Sequence, residues 1–128
     1  MKKTVSFKLT DEDIQRYEKQ IAAIDLNIED ELLQKIAVKI KSIVTSGNIS
    51  SIQLSLIEDV SKLVIILRKV DNLELSVKRK ILFALQYFYD PEDDIPDRVT
   101  QLGFLDDAIL VKWIIDPILT KYPEYFQI

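Results

Sequence analysis

Apolar residues recur three and four positions apart in one stretch after another, and that period decides what this chain can fold into. Thr10 followed by Asp11, Glu12 and Asp13 reads as an N-cap with an acidic first turn, after which Ile14, Tyr17, Ile21 and Ile24 share one helical face. This predicts a first helix near 11–24. Ile28, Leu32, Leu33, Ile36, Ala37, Ile40, Ile43 and Val44 form a second stripe, with Gly47 just beyond it to end the helix. Ser50 and Gln53 have the spacing of a capping box, and Ile52, Leu56, Val60, Leu63, Val64 and Leu67 carry a third helix to about residue 70. Asn72 is placed to cap a fourth, with Leu73, Val77, Ile81, Ala84, Leu85 and Phe88 turned inward. Pro91 stops it by disfavouring helical geometry at Asp90.

From Leu105 to Ile115 the chain is apolar nearly all round, which predicts a central, buried helix, and Asp116–Pro117 then start a new short turn. Only Val5, Phe7 and Leu9 alternate in strand fashion, and a lone strand has no partner, so they read as an extended N-terminal arm. The expected fold is all-α: one compact domain over residues 1–128, a bundle of about five helices with that short arm packed on it.

Composition removes most familiar chemistry. With no Cys and no His, the chain has no disulfide, no thiol nucleophile, no imidazole acid or base and no nitrogen- or sulfur-ligated zinc site. Two glycines, Gly47 and Gly103, cannot build a phosphate-cradling loop. A formal charge of −4 argues against a general nucleic-acid binder, whose affinity comes from many Lys and Arg contacts to phosphate. The two lysines near the start are followed at once by alternating polar residues and acids, unlike a secretory signal, and the longest uncharged run, 42–57, is too polar to span a membrane. A cytoplasmic protein is expected.

The acidity is concentrated. Residues 90–107 hold seven acids (Asp90, Glu92, Asp93, Asp94, Asp97, Asp106, Asp107) against Arg98 alone, a net of −6, so the rest of the chain sums to +2. Crowded carboxylates are relieved by proton uptake, a basic partner, helix N-termini or a hard cation. Capping accounts for many of them: Asp90 before Pro91 fits N-cap and N1, Glu92 and Asp93 fall in the first turn, and Asp106 or Asp107 can cap the apolar helix. Alternatively, folding the connection back brings Asp93 and Asp97 to Asp106 and Asp107, an oxygen-only set suited to Mg²⁺ or Ca²⁺. It is not an EF-hand, because Ile95 stands where the loop needs Gly and Gln101 where it needs a bidentate Glu.

From about Leu82 to Val111 the sequence resembles the YkvA-like family, whose pattern is an apolar helix, Ser-Pro-x-Asp-Leu-Ile-Pro-Asp, a short connection, Gly-x-x-Asp-Asp and a second apolar helix. Pro91, Asp93, Ile95, Pro96, Asp97, Gly103, Asp106 and Asp107 fall on its positions in register. Asp90 replaces the usual Ser, Glu92, Asp94 and Arg98 stand at usually apolar positions, and Thr100 replaces a second Pro. The resemblance implies a largely bacterial domain with no assigned reaction, and some relatives look membrane-associated.

Three readings follow. The first is a non-enzymatic interaction module with no cofactor, in which the acidic connection, with Asp90, Glu92, Asp94 and Arg98, meets a protein partner. The second is a Mg²⁺ or Ca²⁺ site at Asp93, Asp97, Asp106 and Asp107, whose cation could activate water for hydrolysis. The third is a peripheral membrane protein. Lys78, Arg79 and Lys80, with Arg68 and Lys69, offer a basic patch or a solvated helix face. Trp113 is expected in the core, and the terminal Tyr122, Tyr125, Phe126 and Ile128 either pack on the domain or present an apolar patch to a partner or a second copy.

Overall fold

The computed structural model describes residues 9–89 and 100–122, with side chains through Tyr89 and from Ala108 onward. Five helices follow in order: α1 (Asp11–Ala22), α2 (Glu29–Thr45), α3 (Ser51–Lys69), α4 (Leu75–Tyr89) and α5 (Thr100–Lys121), with a 3₁₀ turn at Leu26–Ile28 between the first two. The fold is all-α. The N-cap predicted at Thr10 and the capping box predicted at Ser50 both form, and Thr10 makes a full capping box as well. The Asp13 amide donates to Thr10 Oγ1 at 3.0 Å while the Thr10 amide donates to the Asp13 carboxylate at 3.1 Å, and Ser50 and Gln53 do the same at 3.1 and 2.9 Å. Asp25 caps the 3₁₀ turn, accepting from the Asn27 amide at 2.9 Å. α2 ends as expected before Gly47, which takes the left-handed φ of +76°.

The centre of the bundle is α4, not the more apolar α5. α4 touches each of the other four helices, and Ile81, Leu82, Ala84, Leu85 and Phe88 are completely buried. In its described part α5 is one-sided: Leu110, Val111, Ile114, Ile115 and Ile118 face the core, whereas Lys112, Asp116 and Lys121 face solvent. A helix with carboxylates and lysines spaced along it need only bury one stripe, and α3 and α4 cover that stripe. Trp113, expected inside, is half-buried at the edge of this stripe, its ring 6.2 Å from that of Tyr17. Tyr17 also meets Phe83 at 5.6 Å and Tyr87 at 5.9 Å, so these rings tie α1 to α4 and α5.

Three expected boundaries move. Asn72 does not cap α4 but sits in the preceding turn with φ +59°, a left-handed conformation that Asn tolerates, and the first helical bond runs from the Lys78 amide to the Glu74 carbonyl at 2.9 Å. α5 begins at Thr100, so Gly103, Asp106 and Asp107 lie inside it and neither acid stands ahead of the helix as a cap. Pro117 does not start a new turn: the helix runs through it to Lys121. An interior proline costs about 3 kcal/mol. Burying Ile114, Ile115 and Ile118 contributes roughly 1.5–3 kcal/mol each, which is the larger sum. The backbone beyond the proline is still satisfied, with the Tyr122 amide donating to the Ile118 carbonyl at 2.9 Å.

Leu9 packs against the core, while Val5 and Phe7 of the expected arm lie outside the described residues. Tyr122 also packs on the core, and Tyr125, Phe126 and Ile128 lie outside.

Candidate functional site

Two opposite ends of the α4–α5 pair hold the candidate chemistry. The pair is antiparallel: Glu74, just before α4, forms an ion pair with Lys121 at the end of α5, so the acidic connection departs from the other end. There α4 meets α2, and the two run in parallel. Glu29 and Lys78 pair at 3.0 Å near their starts, and ten residues on in each helix the Lys39 ammonium donates to the Phe88 carbonyl. The same ammonium lies 4.6 Å from the centre of the Phe88 ring, and Lys35, one turn earlier on that face of α2, is 5.5 Å from the Tyr89 ring. The last carbonyls of a helix have no intrahelical donor and carry its negative dipole end. Two lysines of α2 therefore converge where α4 hands over to Asp90.

Of the predicted site residues, Asp90, Glu92, Asp93, Asp94, Asp97 and Arg98 lie outside the described residues. Asp106 and Asp107 occupy consecutive positions in the second turn of α5. Among the described residues no group of three or more acids is gathered closely enough to hold a metal ion.

The basic run 78–80 does not make one patch. Lys78 turns to α2 and is matched by Glu29, whereas Lys80 faces the groove between α4 and α5. Arg79 lies between, half-buried, its Nε out of solvent and without a hydrogen-bond partner. Arg68 and Lys69 occupy the last turn of α3, where cations complement the helix dipole.

Sequence reasoning missed Asp59. It is the one charged side chain buried among the described residues, and its carboxylate pairs with Lys112 of α5 at 3.2 Å. Lys112 keeps about half of its side chain in water, so the pair bridges α3 and α5 at the edge of the core. The signal was present: Asp59 falls between Leu56 and Leu63 on the apolar stripe of its helix.

At the far end of the pair lies a cleft of about 340 Å³, walled by Trp113, Pro117 and Ile118 of α5 and by Ser76 and Lys80 of α4, with Glu18 of α1 on its rim. The Glu74–Lys121 ion pair closes one side, and its hydrogen bond raises the pKa of the Lys121 ammonium above the ordinary lysine value.

Residues 77–113 match the family described as protein of unknown function (DUF1232). The matched stretch runs from the first turn of α4 across the acidic connection to Trp113 in α5. No curated protein and no solved structure matches the chain. Among the described residues no helix is long and apolar enough to cross a membrane.

Proposed function

We propose that the protein is a non-enzymatic cytoplasmic interaction module whose acidic connection between α4 and α5 receives a basic segment of a protein partner. One observation carries this reading: residues 90–99, which join two helices anchored in one core, carry a net charge of −4, and Asp106 and Asp107 add two acids early in α5, all within the stretch similar to DUF1232. Asp90, Glu92 and Asp94 stand at positions that the YkvA-like pattern leaves uncharged, and they supply the surplus that attracts Lys and Arg. Arg98 fixes register by pairing with an acid of the partner. With no imidazole or thiol in the chain, recognition is a better use of this surface than proton or acyl transfer.

Calorimetric titration with a Lys/Arg-rich peptide tests the reading. Binding that weakens with added salt, and falls about tenfold when Asp90, Glu92 and Asp94 become Asn, Gln and Asn, is expected. Equal binding by wild type and variant would count against it. The cation reading rests on the oxygen-only donor set Asp93, Asp97, Asp106 and Asp107, and melting in Mg²⁺, Ca²⁺ or chelator separates the two. A site filled at 100 times its dissociation constant adds about 2.7 kcal/mol, whereas the interaction reading expects an unmoved midpoint. Flotation with anionic and neutral vesicles tests peripheral membrane association, for which co-flotation is the required result.

A further inference from the structure

The cleft at the far end of α4–α5 is independent of the acidic connection, and its lining combines three features. Its wall is an indole, a prolyl ring and the Ile118 side chain, a surface that takes an apolar body. Its charged side chains are balanced, two Glu and two Lys, which disfavours a plain anion or a plain cation. Glu74 and Lys121 neutralise each other as an ion pair, whereas the side chains of Glu18 in α1 and Lys80 in α4 have no ion-pair or hydrogen-bond partner among the described residues. One unpaired charge of each sign thus borders an apolar wall. Ser76 adds a hydroxyl in the first turn of α4, beside backbone amides that a helix start leaves without intrahelical acceptors. At about 340 Å³ the space lies at the lower end of the roughly 300–1,000 Å³ typical of small-molecule sites.

We propose that this cleft binds a small zwitterion with an apolar body, of the class of free α-amino acids with large side chains. The carboxylate meets Lys80 and the Ser76 hydroxyl, the ammonium meets Glu18, and the side chain lies against Trp113, Pro117 and Ile118.

Trp113 is the only tryptophan of the chain, so its fluorescence reports directly on the wall of the cleft. Three probes dissect the proposal: L-phenylalanine, 3-phenylpropanoate, which lacks the ammonium, and phenethylamine, which lacks the carboxylate. L-Phenylalanine should give a saturable change in Trp113 emission, matched by calorimetry, and bind about tenfold more tightly than either singly charged probe, the worth of one charge-assisted hydrogen bond. Lys80→Met should weaken L-phenylalanine about tenfold and leave phenethylamine unchanged. Glu18→Gln should weaken L-phenylalanine about tenfold and leave 3-phenylpropanoate unchanged. Both residues are exposed, so the variants should keep the wild-type melting midpoint, which checks that the fold is intact. Absence of saturable binding of L-phenylalanine by both methods, equal affinity for all three probes, or unchanged affinity in both variants would each overturn the proposal.

Discussion

Thr10 and Ser50 do the same work at the starts of two helices, each satisfying an amide that the helix leaves without a partner. Replacing Thr10 by Ala should cost about 1 kcal/mol, read from chemical denaturation. Asp13 extends the effect to pH. The Thr10 amide hydrogen bond, joined by Arg16 at 3.1 Å, holds its carboxyl below the ordinary value of 3.8. A group whose pKa is lowered by folding stabilises the fold above its unfolded value. That stabilisation fades as pH falls through the folded value, so the melting midpoint should drop in strong acid, and less steeply in Asp13→Asn, which has no carboxyl to protonate. These caps were legible because each involves residues three apart, so sequence spacing and spatial contact coincide. Asn72 was misread because one residue type serves two purposes, capping helices and accepting a left-handed φ. Asp59 escaped notice because its partner is 53 positions away, and only the docking of α5 on α3 explains a carboxylate inside the core.

Among the elements, α4 bears the most packing, so its core face should be the least forgiving. Leu85→Ala should lower stability by about 2–5 kcal/mol through a cavity between helices, while Val38→Ala on the exposed side of α2, where 69% of the residue is accessible, should stay within about 0.5 kcal/mol. Denaturant midpoints of the two variants measure the contrast. At the α3–α5 contact, Lys112→Met strands the Asp59 carboxylate and should cost about 1–3 kcal/mol. The double change Asp59→Leu with Lys112→Met should recover part of that loss, because a buried pair replaced by apolar groups of similar volume is close to neutral. The helices themselves were readable from period alone. Which of them takes the centre was not: α5 has the more apolar sequence, but centrality depends on neighbours on every side, and only α4 has them. The start of α5 was missed because acids suit a helix start, yet Asp106 and Asp107 stand inside a helix that already begins at Thr100.

For the molecule as a whole, the segregation of charge is what the sequence conveyed best and the arrangement around it least. The surplus of acids at 90–107 can be counted directly, but the approach of Lys35 and Lys39 to the end of α4 follows from the parallel packing of α2, which periodicity does not reveal. Self-repulsion among the acids should lower stability when salt is scarce. Changing Asp93, Asp94 and Asp97 to Asn should therefore raise the melting midpoint by a few degrees at low ionic strength, corresponding to roughly 0.5–1 kcal/mol, and the gain should vanish near 1 M salt. The shared direction of α2 and α4 also has a kinetic meaning. Their negative poles point the same way and the sequence leaves α4 directly into its acidic stretch, so the two helix dipoles add and feel a torque near a positive surface. A cationic visitor would meet it already turned acidic end first, shortening the rotational search that normally limits encounter.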